Sequence, residues 1–275
     1  MRVALSQSCT GIDPEANARN LADSIDRAAR GGAEMVFTPE MSGLIDRDRA
    51  RSAGNIVAEG EDRVLAAVRD AAARAGIWVQ LGSLALRPAE GGKLVNRSFV
   101  IDAAGAIRAR YDKIHLFDVD LPTGESWRES AVYAPGGRAV IAETPLGRIG
   151  LTICYDLRFP DLFRALSDGG AQILSVPAAF TVPTGQAHWH VLLRARAIEA
   201  GAYVVAAAQQ GLHEDGRSTY GHSLVIDPWG EVLLDMGEET GVGFAEIDTM
   251  RVAEVRGRIP ALAHRRPVPP AEILP

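Results

Sequence analysis

Cysteine is scarce in this chain. Two in 275 residues, Cys9 and Cys154, cannot build a disulfide framework, and neither belongs to a Cys/His cluster with zinc-site spacing, so a reducing, cytoplasmic setting is expected. An excess of basic residues is missing too. The formal net charge of −6 comes from interspersed acids and bases, which excludes the cationic footprint that nucleic acid or an anionic membrane requires. No stretch reaches the roughly 18 apolar residues of a membrane span. The opening MRVALSQSC alternates like a strand and lacks the apolar core and cleavage site of a signal peptide. Linkers, low-complexity tracts and solenoid periods are absent, as are Walker, HExxH and GxSxG motifs. What is present is ordinary for a soluble globular protein, with 47% apolar and 23% charged residues. One domain over residues 1–275 that acts on a small molecule is the expectation, with an extended, proline-rich tail from about residue 258.

Helix and strand signals alternate along the chain. Asp13-Pro14 reads as an N-cap with proline at the first helical position, Leu21, Ile25, Ala28 and Ala29 share a face, and Gly31-Gly32 stops the helix. Ala33–Phe37 is a short apolar strand that runs into Thr38-Pro39-Glu40. Val64, Leu65, Val68, Ala71 and Ala72 mark a second helix ended by Gly76, and strands follow at Ile77–Gly82, Leu94–Ile101 and Ile107–Tyr111. The second half predicts strands Ala139–Glu143, Arg148–Cys154, Ala171–Val176 and Ala202–Ala208, helices Asp161–Leu166 and around His188–Ala200, a hairpin of Ser223–Ile226 with Glu231–Leu234, and a closing strand Val242–Ile247. This mixture argues for packed sheets covered by helices, a layered α/β sandwich.

Three residues stand out at strand ends. Cys154 closes the run GRIGLTIC and is followed at once by YDLRFP; Glu40 ends MVFTPE; Lys113 follows the strand in ARYDKIHLF. Each has a plain reading, as an inert buried thiol, a solvated acid and a surface amine. Together they supply what amide cleavage needs. A thiol with an ordinary pKa near 8.5 is mostly protonated at neutral pH and requires a base, and the developing oxyanion requires positive charge or N–H donors.

FTPE, YDKIHLF and GLTICYDLRFP, in this order, resemble the nitrilase superfamily of carbon–nitrogen hydrolases, and SVPAAF, AHWHVLLRARAIEAGAYVVAAAQ and YGHSLVIDPWGEVL extend the resemblance over nearly the whole chain. It implies a four-layer α-β-β-α sandwich and an amidase triad: Cys154 as nucleophile, Glu40 as general base, Lys113 with the backbone N–H of Tyr155 as oxyanion site, and a cysteinyl thioester released by water. It implies a fourth catalytic residue at Glu129 in WRESAVYAPG, which orients Lys113 and the substrate amide; Glu125 is a rival for that position. No metal or cofactor is called for, and assembly as a homodimer or higher homo-oligomer is implied.

The stretches around the nucleophile most resemble the branch that hydrolyses deaminated glutathione, with the neighbouring ω-amidases of 2-oxo acids close by. Arg158 could then pair with a substrate carboxylate, or serve as a structural ion-pair partner, and Thr181 could add a hydroxyl contact. An N-carbamoyl amidohydrolase or aliphatic amidase is the enzymatic alternative, and a non-catalytic redox-sensing or binding domain the alternative of another class. His188 and His190 are two apart and point to different helix faces, so they cannot share a metal from there. His222 reads either as a pocket residue or as a satisfied core group, and Cys9 as a small buried hydrophobe in the first strand.

Overall fold

The structure, a computed structural model, describes residues 1–120, 124 and 126–274. The first half runs β1 (Arg2–Gln7), α1 (Pro14–Arg30), β2 (Met35–Phe37), a short α2 (Arg49–Ser52), α3 (Arg63–Ala75), β3 (Trp78–Leu86), β4 (Val95–Ile101) and β5 (Ile107–Asp112). A small ribbon pairs β6 (Asp118–Asp120) with β7 (Ser126–Arg128). The second half runs β8 (Val140–Thr144), β9 (Gly147–Leu151), α4 (Pro160–Asp168), β10 (Ile173–Ser175), α5 (Val182–Ala200) and β11 (Tyr203–Ala206). The hairpin of β12 (Gln210–Leu212) and β13 (Ser218–Tyr220) follows, then β14 (Leu224–Ile226), β15 (Val232–Asp235), β16 (Gly241–Glu246), α6 (Thr249–Arg258) and α7 (Ala261–His264).

These strands form two six-stranded sheets, ordered β16-β1-β2-β3-β4-β5 and β15-β14-β11-β10-β9-β8. Both follow one plan. Three central parallel strands, β1-β2-β3 in one sheet and β9-β10-β11 in the other, are flanked by one antiparallel strand on one side and two on the other. The crossovers between parallel strands carry α1 and α3 on the first sheet and α4 and α5 on the second, as parallel pairing requires.

Strand alternation sorts the core into two layers. In the first sheet Val3, Leu5, Met35, Phe37 and Val100 join the second sheet's apolar residues, while Ala4, Val36, Val79, Leu81, Phe99 and Ile101 face α1 and α3. Two sheets back to back with helices outside give the four-layer α-β-β-α sandwich.

Local signals explain most elements. The Asp13 carboxylate accepts from Glu15 N–H with Pro14 at the first helical position, and the Asp62 carboxylate caps α3 through Leu65 N–H. Gly76 ends α3 in the left-handed conformation. Several boundaries differ from those expected. The strand leading to Cys154 ends at Leu151, because Thr152 gives both its N–H and its hydroxyl to the Ser175 carbonyl and Cys154 N–H goes to Pro177 O, so residues 154–158 coil into a 3-10 turn. α6 fills the stretch between the last expected strand and the expected tail, α7 lies within that tail, and residues 265–274 beyond it carry no regular structure. Cys9 is a correction. It lies past the end of β1, is exposed, and its thiol donates to Leu212 O at 3.4 Å. Among the described residues, no helix is long and apolar enough to cross a membrane.

Candidate active site

In parallel sheets, functional side chains gather beyond the carboxyl ends of the strands. Glu40 lies three residues past β2 and Cys154 three past β9, while Lys113 directly follows β5. The Glu40 loop is drawn over β3 at a bulge between Leu81 and Leu84. There Gly82 N–H donates to Thr38 Oγ1 at 3.0 Å, and a Cβ on Gly82 would collide with the Thr38 and Pro39 carbonyls. Gln209, three residues past β11, donates from Nε2 to the Glu40 carbonyl at 2.9 Å.

The charged groups meet in the interior. Lys113 Nζ donates to Glu40 Oε1 at 2.9 Å and to Glu129 Oε2 at 2.9 Å; Lys113 is 2% exposed and Glu40 5%. Asn96 Nδ2 donates to Glu40 Oε1 at 3.0 Å and reaches Glu129 Oε1 at 3.4 Å. Ala179 N–H donates to Glu40 Oε2 at 3.1 Å, and Phe117 N–H to Glu129 Oε2 at 2.6 Å. One ammonium thus sits between two carboxylates, each of whose oxygens accepts at least one hydrogen bond, the condition under which charges persist in a core.

Their protonation states follow from this geometry. Burial alone would push Glu40 up, but the Lys113 charge and hydrogen bonds from Cys154, Lys113 and Asn96 hold it below the usual carboxylate range. Burial would push Lys113 down, yet Glu129, Glu40 and the Cys154 sulfur hold it well above the usual lysine range. For Cys154, burial pushes the thiol up and the Glu40 charge pushes it further, against the pull of Lys113 and the Ala179 N–H. The resting site therefore holds a thiol beside a carboxylate, with a proton available to pass from sulfur to Glu40.

The backbone around Cys154 is strained, with φ +48° at a non-glycine residue. It is locked by Asp156, fully buried, whose carboxylate accepts from Ile153 N–H at 2.9 Å, Tyr111 Oη–H at 2.7 Å and His115 N–H at 3.0 Å. His115 also stacks on Phe159 with ring centroids 3.6 Å apart, which fastens the Lys113 loop to the Cys154 turn. Tyr155 N–H lies in the first turn of the 3-10 segment, where N–H groups lack intrahelical acceptors.

Cys154, Glu40, Lys113 and Glu129 all line a cavity of about 490 Å³, together with Tyr155, Arg158 and Thr181. Among the described residues no carboxylate pairs with Arg158. Its guanidinium approaches His188 Nδ1 at 3.3 Å and lies 5.5 Å from the Phe180 ring centroid, so the ion-pair reading of Arg158 finds no partner there. Thr181 Oγ1 is 2.8 Å from Thr184 Oγ1. Glu125 lies outside the described residues.

Residues 2–257 match the carbon-nitrogen hydrolase family model. The chain belongs to the carbon-nitrogen hydrolase family. Within that family it is 40% identical over 266 residues to the deaminated glutathione amidase of Yersinia enterocolitica, covering 96% of this chain and 92% of that one. The crystal structure of the NitFhit protein of C. elegans superposes with a TM-score of 0.89 at 39% identity, covering 96% of this chain and 65% of that longer one. An amidase from Nesterenkonia sp. AN1, in a variant showing Michael addition of acrylamide at its active-site cysteine, superposes with a TM-score of 0.78 at 27% identity over 94% of this chain. The protein is a thiol-dependent amidase of this carbon-nitrogen hydrolase family.

Some constituents of the site escaped sequence reasoning. Asn96, inside β4, bridges the two glutamates, and in the sequence it is only the first residue of the polar Asn96-Arg97-Ser98 run of that strand. Asp156 was legible as part of YDLRFP, though its role as a buried acceptor for two loops was not. His222 does not line the cavity.

Proposed function

We propose that the protein hydrolyses the amide of a small anionic substrate, deaminated glutathione or a related 2-oxo acid ω-amide, through a thioester on Cys154. Glu40 takes the thiol proton as sulfur attacks the carbonyl carbon, and returns it to the leaving nitrogen as the tetrahedral intermediate collapses. Lys113 and the Tyr155 N–H hold the oxyanion, Glu129 keeps Lys113 in register, and Glu40 then activates the water that cleaves the thioester to acid and thiol. Because the cation is already between the carboxylates, its orientation costs nothing as charge develops.

The observation that carries this reading is the buried Glu40–Lys113–Glu129 cluster against a cavity-lining thiol. The cavity wall favours an anion. Outside the cluster it carries Arg47, Arg49, Arg87, Lys93, Arg128, Arg158 and Arg217, with Asp46 as acidic counterweight. A 2-oxo acid amide ending in a carboxylate suits such a wall better than a neutral aliphatic amide, and sequence similarity to deaminated glutathione amidases supports the same substrate. Assembly as a homodimer belongs to the same proposal.

The test is product analysis by mass spectrometry with deaminated glutathione, 2-oxoglutaramate, a carbamoyl amino acid and acetamide. The reading expects turnover of the first two above the others, and a Cys154→Ala variant that keeps its circular dichroism and loses turnover. Near-wild-type turnover by that variant would overturn the mechanism; preference for the carbamoyl compound or acetamide would overturn the substrate.

A further inference from the structure

Away from the cavity, α5, the segment before β14 and the end of β15 bring together His190, His222 and Asp235. His190 Nε2 lies 3.0 Å from Asp235 Oδ2, and His222 Nδ1 lies 2.9 Å from Asp235 Oδ1. One potential ligand atom from each of the three lies within 4.8 Å of the others, and none of these residues lines the cavity. We propose that this trio is a binding site for a divalent transition metal of the zinc class, separate from the amidase machinery.

Three observations carry it. The donor set, two imidazoles and one carboxylate, is one that zinc and its neighbours accept, with open positions left for water. Donors about 2.0–2.1 Å from a tetrahedral cation stand about 3.3–3.4 Å apart, so the two His–Asp pairs, at 3.0 and 2.9 Å, need open only slightly, while a pair as wide as 4.8 Å must close by roughly an ångström or more through side-chain rotation.

The second observation is backbone strain. Among the described residues, three non-glycine positions adopt the left-handed conformation: Met41 next to Glu40, the nucleophile Cys154, and His222 at φ +53°. Such strain persists only where the surroundings enforce it, and it concentrates at functional sites. Here His222 N–H donates to Gly237 O at 2.8 Å, and its carbonyl accepts from Trp189 Nε1 at 2.7 Å, so the imidazole is aimed at Asp235 by contacts unrelated to its ring.

The third is the outer support. The His222 ring stacks on Tyr220 with centroids 4.5 Å apart, and His190 meets it edge-on at 5.2 Å. Asp235 Oδ1 also accepts Gly237 N–H at 2.9 Å, leaving the carboxylate oriented. Side-chain exposures of 32%, 21% and 34% leave His190, His222 and Asp235 reachable from solvent. Metal binding requires His190 Nε2 and His222 Nδ1, the ring nitrogens that face Asp235, to be free of protons, so any proton they carry is displaced as the cation enters.

The test is calorimetric titration of chelator-treated full-length protein with Zn²⁺, beside Co²⁺ absorption. One equivalent of Zn²⁺ is expected. His190→Ala and Asp235→Asn, both checked for fold by circular dichroism, should each weaken binding at least about tenfold with amide turnover retained. Cys9→Ser should leave it unchanged. The Co²⁺ protein should show ligand-field bands without a thiolate-to-metal band, a readout that stands even if a variant misfolds. Absence of Zn²⁺ binding at millimolar concentration, undiminished binding in both variants, or a thiolate band would overturn the assignment.

Discussion

Replacing Lys113 by methionine isolates the electrostatics of the proposed site. In the native protein one ammonium separates Glu40 and Glu129, which also share the Asn96 amide. Removing one partner of a buried ion pair costs about 3–5 kcal/mol, because the remaining charge has no solvent to turn to. At about 2 °C per kcal/mol for a chain of this size, Tm should fall by roughly 6–10 °C at neutral pH. The two carboxylates then face each other, and one of them binds a proton with a raised pKa. A carboxyl whose folded pKa lies above its unfolded value contributes stability that is present at low pH and lost as pH rises through the folded value. The native pair behaves oppositely: Glu40 is held below its usual range, so its contribution is present above that range and lost as pH falls through its lowered value. The Tm gap between Lys113→Met and wild type should therefore narrow as pH is lowered from 7 towards 5. Adding Glu129→Gln should recover much of the stability, while kcat stays down by about 100-fold or more in single and double variants alike, since the oxyanion donor is missing from both. Thermal melts across pH and amide turnover supply the readings. A Tm gap that ignores pH, or a double variant no more stable than the single one, would refute the electrostatic account of the cluster.

Arg158→Ala should raise KM at least about tenfold for an amide carrying a carboxylate and leave KM for a neutral amide nearly unchanged, measured by initial rates; equal effects on both would remove Arg158 from substrate recognition. Gly82→Ala should displace the Glu40 loop, because the new methyl group meets two backbone carbonyls rather than a flexible side chain. A loss of about 1–3 kcal/mol in denaturant melts, with a drop in kcat, is expected, and a variant of native stability and rate would show that the loop has slack.

How much of this was legible beforehand depended on whether the signal was local. Asp13-Pro14 and Gly76 mark helix ends through their own backbone chemistry, and FTPE, YDKIHLF and CYDLRFP placed Glu40, Lys113 and Cys154 at strand ends, where the structure has them. Residues whose meaning comes from a distant partner stayed hidden. Asn96 is one of three consecutive polar residues in β4 until Glu40 and Glu129 arrive from 56 and 33 residues away. His190 could not find a metal partner within its own helix, and its companions lie beyond the next strand. Cys9 was expected to be buried as part of the first strand, but pairing in β1 stops at Gln7. The ribbon of β6 and β7 and the hairpin of β12 and β13 have strands of three residues, too short for alternation to announce.

The cluster around Lys113 takes Glu40 and Asn96 from the first sheet's strands and loops, while Ala179 and Cys154 come from the loops of the second. The first sheet holds the paired charges of Glu40 and Lys113 and the second supplies the thiol and the Ala179 N–H, so neither layer carries the whole site. During refolding, recovery of amide cleavage should thus time the docking of the two layers, and a nick that let them drift apart would silence the catalyst before it melted either half.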